Sequence, residues 1–453
     1  MAALAAFLSC SVYGTAAPGQ ATYAVAISRS AAADPAWLDV AEALRDKHGV
    51  DAPVIEFDES SDAGFASLVE TLRQRKASMV GIVLHPARAA RDVTAPLQRA
   101  LRTIDGDPES DVSWGIITAR SAEGARRLVD HAEPLTMSIA AGTADFPMQR
   151  FDHSAWWSEE AAHRFTLHHD GRAIDPGITA QSIGNAAHAV LDVPRIDLLM
   201  TGGHATEKGL ELGFRRPAGA VEPRDGTLVV RCHDGRVMPL VHASPKAWIG
   251  AGNCLLGHVN GPDSLAAVAI ESFGVRAHVG YVVVTWFGRG GWGTLDRFTK
   301  EPGVRTLNEA WRDNSDAIVG ELARRWPGSE SLVIASWQRD DVGSFNREVA
   351  LWMKERSIPE ADARELAGLL WDRDAVVYLG DPSWDVRVQR QVGQTADPWP
   401  SMVSRGAGVE PTSPSAPGPS SDAAPSPATA PSSATAPSPP RGSSSDPTPA
   451  STP

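Results

Sequence analysis

Two short stretches of this chain combine residue types that can carry out nucleophilic chemistry. In IDLLMTGGHATE an apolar run ends at Met200, Gly202 and Gly203 permit a tight turn, and His204 follows. In AWIGAGNCLLG, Gly250 and Gly252 precede Asn253 and Cys254. A cysteine nucleophile requires a thiolate and a nearby imidazole, because the free thiol is mostly protonated at neutral pH and the leaving group needs a proton. His204 and Cys254 supply those two groups. A cysteine after an apolar strand is, taken singly, more often a small buried side chain, and a single histidine is equally ambiguous. As a pair, each flanked by glycines after an expected strand, they point toward catalysis, with backbone N–H groups in the turns able to stabilise a developing oxyanion.

Other residues invite functional readings that compete with plainer ones. HRFTLHHD places His163, His168 and His169 near Asp170, but strand alternation sets His168 and His169 on opposite faces, so solvated histidines are expected there and not a metal site. Asp105, Asp107 and Asp111 offer hard oxygen ligands at alternating positions, a weak Ca²⁺ candidate set against turn-forming Asp beside Gly106 and Pro108. Trp286 and Trp292 could line a substrate groove, although packing under glycine-rich loops is the preferred reading. Asp263 and Glu271 follow Cys254 and could meet a basic substrate side chain; for Asp263 a helix cap before Ser264 is preferred. The candidate substrate-pocket residues are therefore Asp263 and Trp286.

The elements that must position the pair follow from periodicity. TYAVAISRS, VIEF, MVGIVLH and DVSWGIITA read as strands alternating with the helical runs PAWLDVAEALRDKHG, ASLVETLRQRK, TAPLQRALRTID and SAEGARRLVDHA. The pattern resumes after Glu133: IDLLMTGG, PKAWIGAGN, VRAHVGYVVVTWF and SLVIASW read as strands. SLAAVAIESFG, TLNEAWRDNSDAIVGELARRW and FNREVALWMKER read as helices, and VVYLGDPSWDVRV closes the folded part. Repeated β-α-β order predicts a mostly parallel sheet with helices on both faces, and ligands gather at the carboxyl ends of such strands.

An apolar block ending in His, followed some fifty residues later by one ending in Cys, resembles the caspase–gingipain–legumain group. The likeness is strongest to its gingipain-like branch in bacterial secreted proteins: TGGHATEKGLELGF resembles the His block, AGNCLLGHVNGPDSLAAVAIESFGV the Cys block, and GYVVVTWFGRGGWGTLDRF the segment beyond. VVYLGDPSWDVRV resembles the ending of such catalytic domains, and RTIDGDPESDVSWGIITAR the leading subdomain, so the likeness runs from about Thr22 to Val392. The resemblance implies a caspase-like three-layer α/β/α fold preceded by a smaller α/β subdomain. It also implies peptide-bond hydrolysis through a thioester on Cys254, with His204 as acid and base. The backbone N–H groups of Ala205 and Cys254 would form the oxyanion hole. The group usually carries Gly after the His; Ala205 stands here, and at a position needing positive φ it would be strained. A catalytically inactive module of the same fold is the alternative.

Composition sets the limits. The 42 basic and 55 acidic side chains leave a net charge of −13, which disfavours a nucleic-acid partner; the protein or peptide substrate is what the resemblance implies. Cys10, Cys232 and Cys254 are the only cysteines, too few for a disulfide-built scaffold. No glycine-rich phosphate loop, Gly-x-Ser-x-Gly elbow or His-Glu-x-x-His helix occurs, and no cofactor is expected beyond a structural Ca²⁺ at the aspartates. Residues 1–21 suit a signal peptide, too short to span a bilayer, or a disordered start; as a signal they imply a secreted, periplasmic or envelope protein, and without a working signal the protein would be cytoplasmic. The expected organisation is then 22–132 as the α/β subdomain, 133–395 as the catalytic subdomain, and 405–453 as a disordered Pro/Ser/Ala-rich tail.

Overall fold

The computed structural model of the chain describes residues 22–399, apart from 159, 160, 162, 163, 170, 180, 181, 214–218 and 394, together with residue 402. The candidate signal segment and the tail lie outside the described residues. The first region alternates as expected: β1 (Tyr23–Ser28), α1 (Arg29–Ala32), α2 (Pro35–Lys47), β2 (Ile55–Phe57), α3 (Asp62–Arg75), β3 (Met79–Val83), α4 (Arg91–Leu101), β4 (Ser113–Ile117) and α5 (Ala122–Asp130). Capping side chains fix the helix starts. Asp34 accepts the Ala36 N–H ahead of α2, and Ser61 and Ser121 accept the Gly64 and Gly124 N–H groups ahead of α3 and α5. The 3.6-residue repeat of α2 buries Trp37, Val40, Ala41 and Leu44.

The second region begins with β5 (Leu135–Met137), β6 (Ile139–Gly142), β7 (His153–Trp157), β8 (Phe165–His169), β9 (Arg172–Ile174), α6 (Ile183–Leu191) and β10 (Leu198–Thr201). A meander follows that sequence periodicity did not reveal: β11 (Ala205–Thr206), β12 (Gly209–Glu211), β13 (Gly219–Arg224), β14 (Thr227–Cys232) and β15 (Val237–Pro239), pairing antiparallel in that order as a separate sheet. The chain then returns through β16 (Lys246–Gly250), α7 (Leu265–Ser272), β17 (Val275–Tyr281), α8 (Arg289–Lys300), α9 (Leu307–Arg325), α10 (Val342–Glu355), α11 (Ala363–Asp372), β18 (Val376–Gly380) and β19 (Val386–Val388).

Among the described residues, twelve strands form one sheet in the order β2-β1-β3-β4-β18-β17-β16-β10-β6-β7-β8-β9. The block from β2 to β18 is parallel, and so is the block from β17 to β7. The two blocks run in opposite senses and meet at the antiparallel β17/β18 pair. The carboxyl ends of β10, β16 and β17 therefore share one sheet edge. Helices α2, α5 and α7 pack in one row, and α8, α9 and α11 in another, with Gln98 of α4 bonded to Ser315 of α9. The protein is thus mixed α/β with a large, mostly parallel central sheet, compatible with a three-layer arrangement. Among the described residues, no helix is long and apolar enough to cross a membrane.

One expected strand is absent. SLVIASW runs as a loop into a short 3-10 turn, Ala335–Arg339. Both edges of β18 and of β4 are already paired, so the segment cannot add to either of those strands. Trp337 instead anchors it, donating its indole N–H to the Trp371 carbonyl at 2.8 Å.

Candidate functional site

His204 and Cys254 emerge from neighbouring parallel strands. Thr201, the last residue of β10, is in register with Gly250, the last of β16. The chain reaches His204 three residues after the first and Cys254 four residues after the second, so the topology delivers both to the same sheet edge. Gly203 makes the first turn possible with φ +97°, a backbone region disfavoured for side-chain-bearing residues. His204 is exposed, and Cys254 is partly buried.

Asn253 fastens the two turns together. Its side chain is fully buried; Oδ1 accepts the Thr201 hydroxyl proton at 2.5 Å, and Nδ2 donates to the Gly203 carbonyl at 3.0 Å. The Thr201 hydroxyl in turn accepts the indole N–H of Trp248 at 2.8 Å. The residue before the cysteine is thus bonded to the residue before the histidine. On the other side, Thr143 Oγ1 accepts the Gly202 N–H at 2.9 Å. Asn253, Thr201 and Trp248 were not singled out from the sequence, because their partners lie some fifty residues apart or on another strand.

Beyond Cys254 the chain does not enter a helix. Leu255 takes the left-handed conformation at φ +60°, and the segment turns back across the sheet, where Leu255 N–H bonds the Val283 carbonyl at 3.2 Å and Gly257 N–H the Tyr281 carbonyl at 2.8 Å. A Cβ on Gly257 would lie 2.3 Å from the Gly280 carbonyl oxygen, so only glycine allows this crossing. The Cys254 sulfur accepts the Thr285 N–H at 3.3 Å. Burial pushes the Cys254 thiol above its ordinary pKa, while the hydrogen bond from the Thr285 amide opposes that rise. A base is therefore needed to remove the proton near neutrality.

Two backbone amides lie beside the pair, those of Ala205 and Cys254. The Glu211 N–H donates to the His204 carbonyl at 2.9 Å, which makes Ala205 and Leu210 a non-hydrogen-bonded pair and turns the Ala205 N–H away from β12. The Cys254 N–H lies against its own sulfur and joins the Thr285 amide in opposing the rise of the thiol pKa. Ala205 does not have positive φ, so the strain anticipated for an alanine at this position does not arise; Gly203 absorbs the turn instead.

The remaining candidates separate. Asp263 is exposed and faces Arg120 at 3.5 Å, and it does not cap α7; Ser264 is the N-cap because the helix begins one residue later than expected. Glu271 binds the N–H and hydroxyl of Ser121 at the start of α5, so it is committed to helix packing. Trp286 directly follows Thr285 and is 45% exposed, while Trp292 is 37% exposed and sits beside Gly252 and Gly288. Their expected burial under the loops is only partial. Cys232 is buried and free, and Cys254 is free, so no disulfide joins them. Cys10 lies outside the described residues.

Asp105, Asp107 and Asp111 do converge, with one carboxylate oxygen of each within 4.8 Å of the others. Their oxygens also accept local backbone N–H groups: Asp105 N–H to Asp111 at 3.0 Å, Asp107 N–H to Asp105 at 3.1 Å, and Glu109 N–H to Asp107 at 2.8 Å. This is the bonding of a turn. His163 and Asp170 lie outside the described residues. His168 and His169 take opposite faces of β8, as alternation requires, but His169 is not a solvated histidine, because it lies against His153 on β7.

Comparison with protein-family models, with curated proteins and with solved structures finds no significant match to this chain.

Proposed function

We propose that the protein is a caspase-fold cysteine peptidase that cleaves peptide bonds through a thioester on Cys254. The observation that carries this reading is the placement of His204 and Cys254 on adjoining turns of parallel neighbours β10 and β16, locked to each other through buried Asn253. As the Cys254 sulfur attacks the scissile carbonyl, His204 takes the thiol proton, and the Ala205 and Cys254 amides receive the charge that develops on oxygen. His204 then protonates the leaving amine as the C–N bond breaks, giving a thioester. Water, deprotonated by His204, adds to the thioester and releases the acid and the thiol. Trp286, exposed beside the sulfur-bound amide of Thr285, supplies an apolar wall for the substrate.

The raised thiol pKa favours a second reading, a module of the same fold that binds peptides without cleaving them. A peptide library incubated with purified protein and read by mass spectrometry distinguishes the two. The peptidase yields new amino termini that disappear with Cys254→Ala; intact peptides with both proteins would sink the catalytic reading. An extracellular or envelope location belongs to the same proposal, supported by the small-residue segment near Ala16 and Ala17.

A further inference from the structure

A second constellation lies at the opposite edge of the sheet from Cys254. His153 is the first residue of β7, and β7 is parallel to β6, β10 and β16, so His153 stands at the amino ends of the strands whose carboxyl ends carry the cysteine turn. In the antiparallel β7/β8 pair His153 lies directly opposite His169, which puts both rings on one face. Their Nδ1 atoms are 3.1 Å apart. The carboxylate Oδ2 of Asp397 is 3.5 Å from His169 Nδ1, and the three atoms all lie within 4.8 Å of one another.

Two of the three groups, His153 and Asp397, are held by a bond on their far side. His153 is 3% exposed, and its Nε2 lies 2.6 Å from the Thr395 carbonyl, which can only accept, so Nε2 carries the proton and Nδ1 presents a lone pair. Asp397 Oδ1 accepts the Trp399 N–H at 2.8 Å, leaving Oδ2 directed at the imidazoles. Histidine bonded to a backbone carbonyl through its other nitrogen is the arrangement that orients a metal-binding ring. The spacing fits as well. Two ligands about 2.0–2.1 Å from a tetrahedral ion are about 3.3 Å apart, between the two edges measured here.

We infer that His153 Nδ1, His169 Nδ1 and Asp397 Oδ2 form a binding site for a zinc-class divalent transition ion. The two nitrogens and one carboxylate oxygen suit a borderline ion better than Ca²⁺, and the fourth position is left to water. The ion ties the segment that follows β19 to the β7/β8 pair. Asp152 already grips that segment through Gln389 and Thr395, and Trp399 is buried with its indole N–H on the Val190 carbonyl at 3.2 Å.

The test uses the full chain, titrated with Zn²⁺ against a chromophoric chelator and with Co²⁺ read by its visible absorption. One equivalent is expected, with tetrahedral Co²⁺ bands, and with affinity falling as pH drops because protons compete for Nδ1. His169→Ala and Asp397→Ala, both partly exposed, should weaken Zn²⁺ binding by more than about tenfold. Zn²⁺ should also raise the Tm of the wild type and leave that of Asp397→Ala unchanged. The double variant Asp105→Asn, Asp107→Asn and the variant Cys254→Ala should bind as the wild type does. Absence of stoichiometric binding, binding unaffected by His169→Ala and Asp397→Ala, or binding lost in either control would overturn the inference.

Discussion

Replacing Asn253 with alanine should uncouple positioning from folding. The substitution removes two hydrogen bonds and leaves the Thr201 hydroxyl proton and the Gly203 carbonyl without their buried partner. At about 1–3 kcal/mol for each buried group left unpaired, the loss of stability is about 2–6 kcal/mol. The effect on chemistry should be larger than stability alone implies, because the same side chain sets the spacing of the two turns. A displacement of about 1 Å between reacting groups costs about 100-fold in rate. Asn308→Ala is the matched control. Asn308 is equally buried and donates to the Trp114 carbonyl at 2.9 Å, but β4 stands three strands from β16. Urea unfolding gives the stability of each variant, and the second-order rate of labelling by a peptidyl thiol-directed electrophile gives the reactivity of Cys254. Asn253→Ala should lose both, and Asn308→Ala stability alone. Wild-type labelling by Asn253→Ala at pH 7, despite its lost stability, would refute the clamp.

Other consequences follow from neighbouring residues. Because Ala205 lies in β11 without positive φ, Ala205→Gly should not accelerate labelling, and should lower stability by about 0.5–1 kcal/mol from backbone entropy, read by urea unfolding. Burial holds the pKa of His278 down at about 4, with its ring N–H on the Leu256 carbonyl beneath the cysteine turn. Its depressed pKa stabilises the fold above the unfolded value of 6.5, and that contribution is lost as pH falls toward about 4. The loss amounts to about 3 kcal/mol, and urea unfolding across this range should show it in the wild type and not in His278→Gln. In His204→Ala the thiol has no base, so residual labelling should rise only above the ordinary cysteine range of about 8.5, where the wild type already reacts at neutrality.

The turns that hold the candidate pair were legible because apolar runs of strand length ended in glycines, and the β-α alternation of residues 22–132 followed from amphipathic helices with capping residues. The meander from β11 to β15 was not, since its strands are short and their pairing depends on register across loops. Helix α8 begins in RGGWG, a poor helix-forming sequence, and is secured by tertiary bonds: Gly290 N–H to Asp372 at 3.0 Å and Gly291 N–H to the Tyr281 hydroxyl at 2.8 Å. Conversely, SLVIASW has strand composition, yet it runs as a loop into a 3-10 turn held by the Trp337 indole on the Trp371 carbonyl. Asn253 could have been noticed only as a polar residue beside the cysteine; nothing local showed that Thr201 and Gly203 would meet it. The His153–His169 pair was hidden for the same reason, as cross-strand register is a property of the fold.

The most direct test is labelling of the wild type, Cys254→Ala and His204→Ala with a biotinylated peptidyl electrophile panel bearing basic, acidic and apolar groups at the position that precedes the scissile bond. Rapid labelling of the wild type at neutral pH that requires both residues, and that selects one class of side chain, is the expected result. Labelling that survives His204→Ala undiminished, or none in the wild type at any pH, would contradict the assignment of these two residues as a catalytic pair.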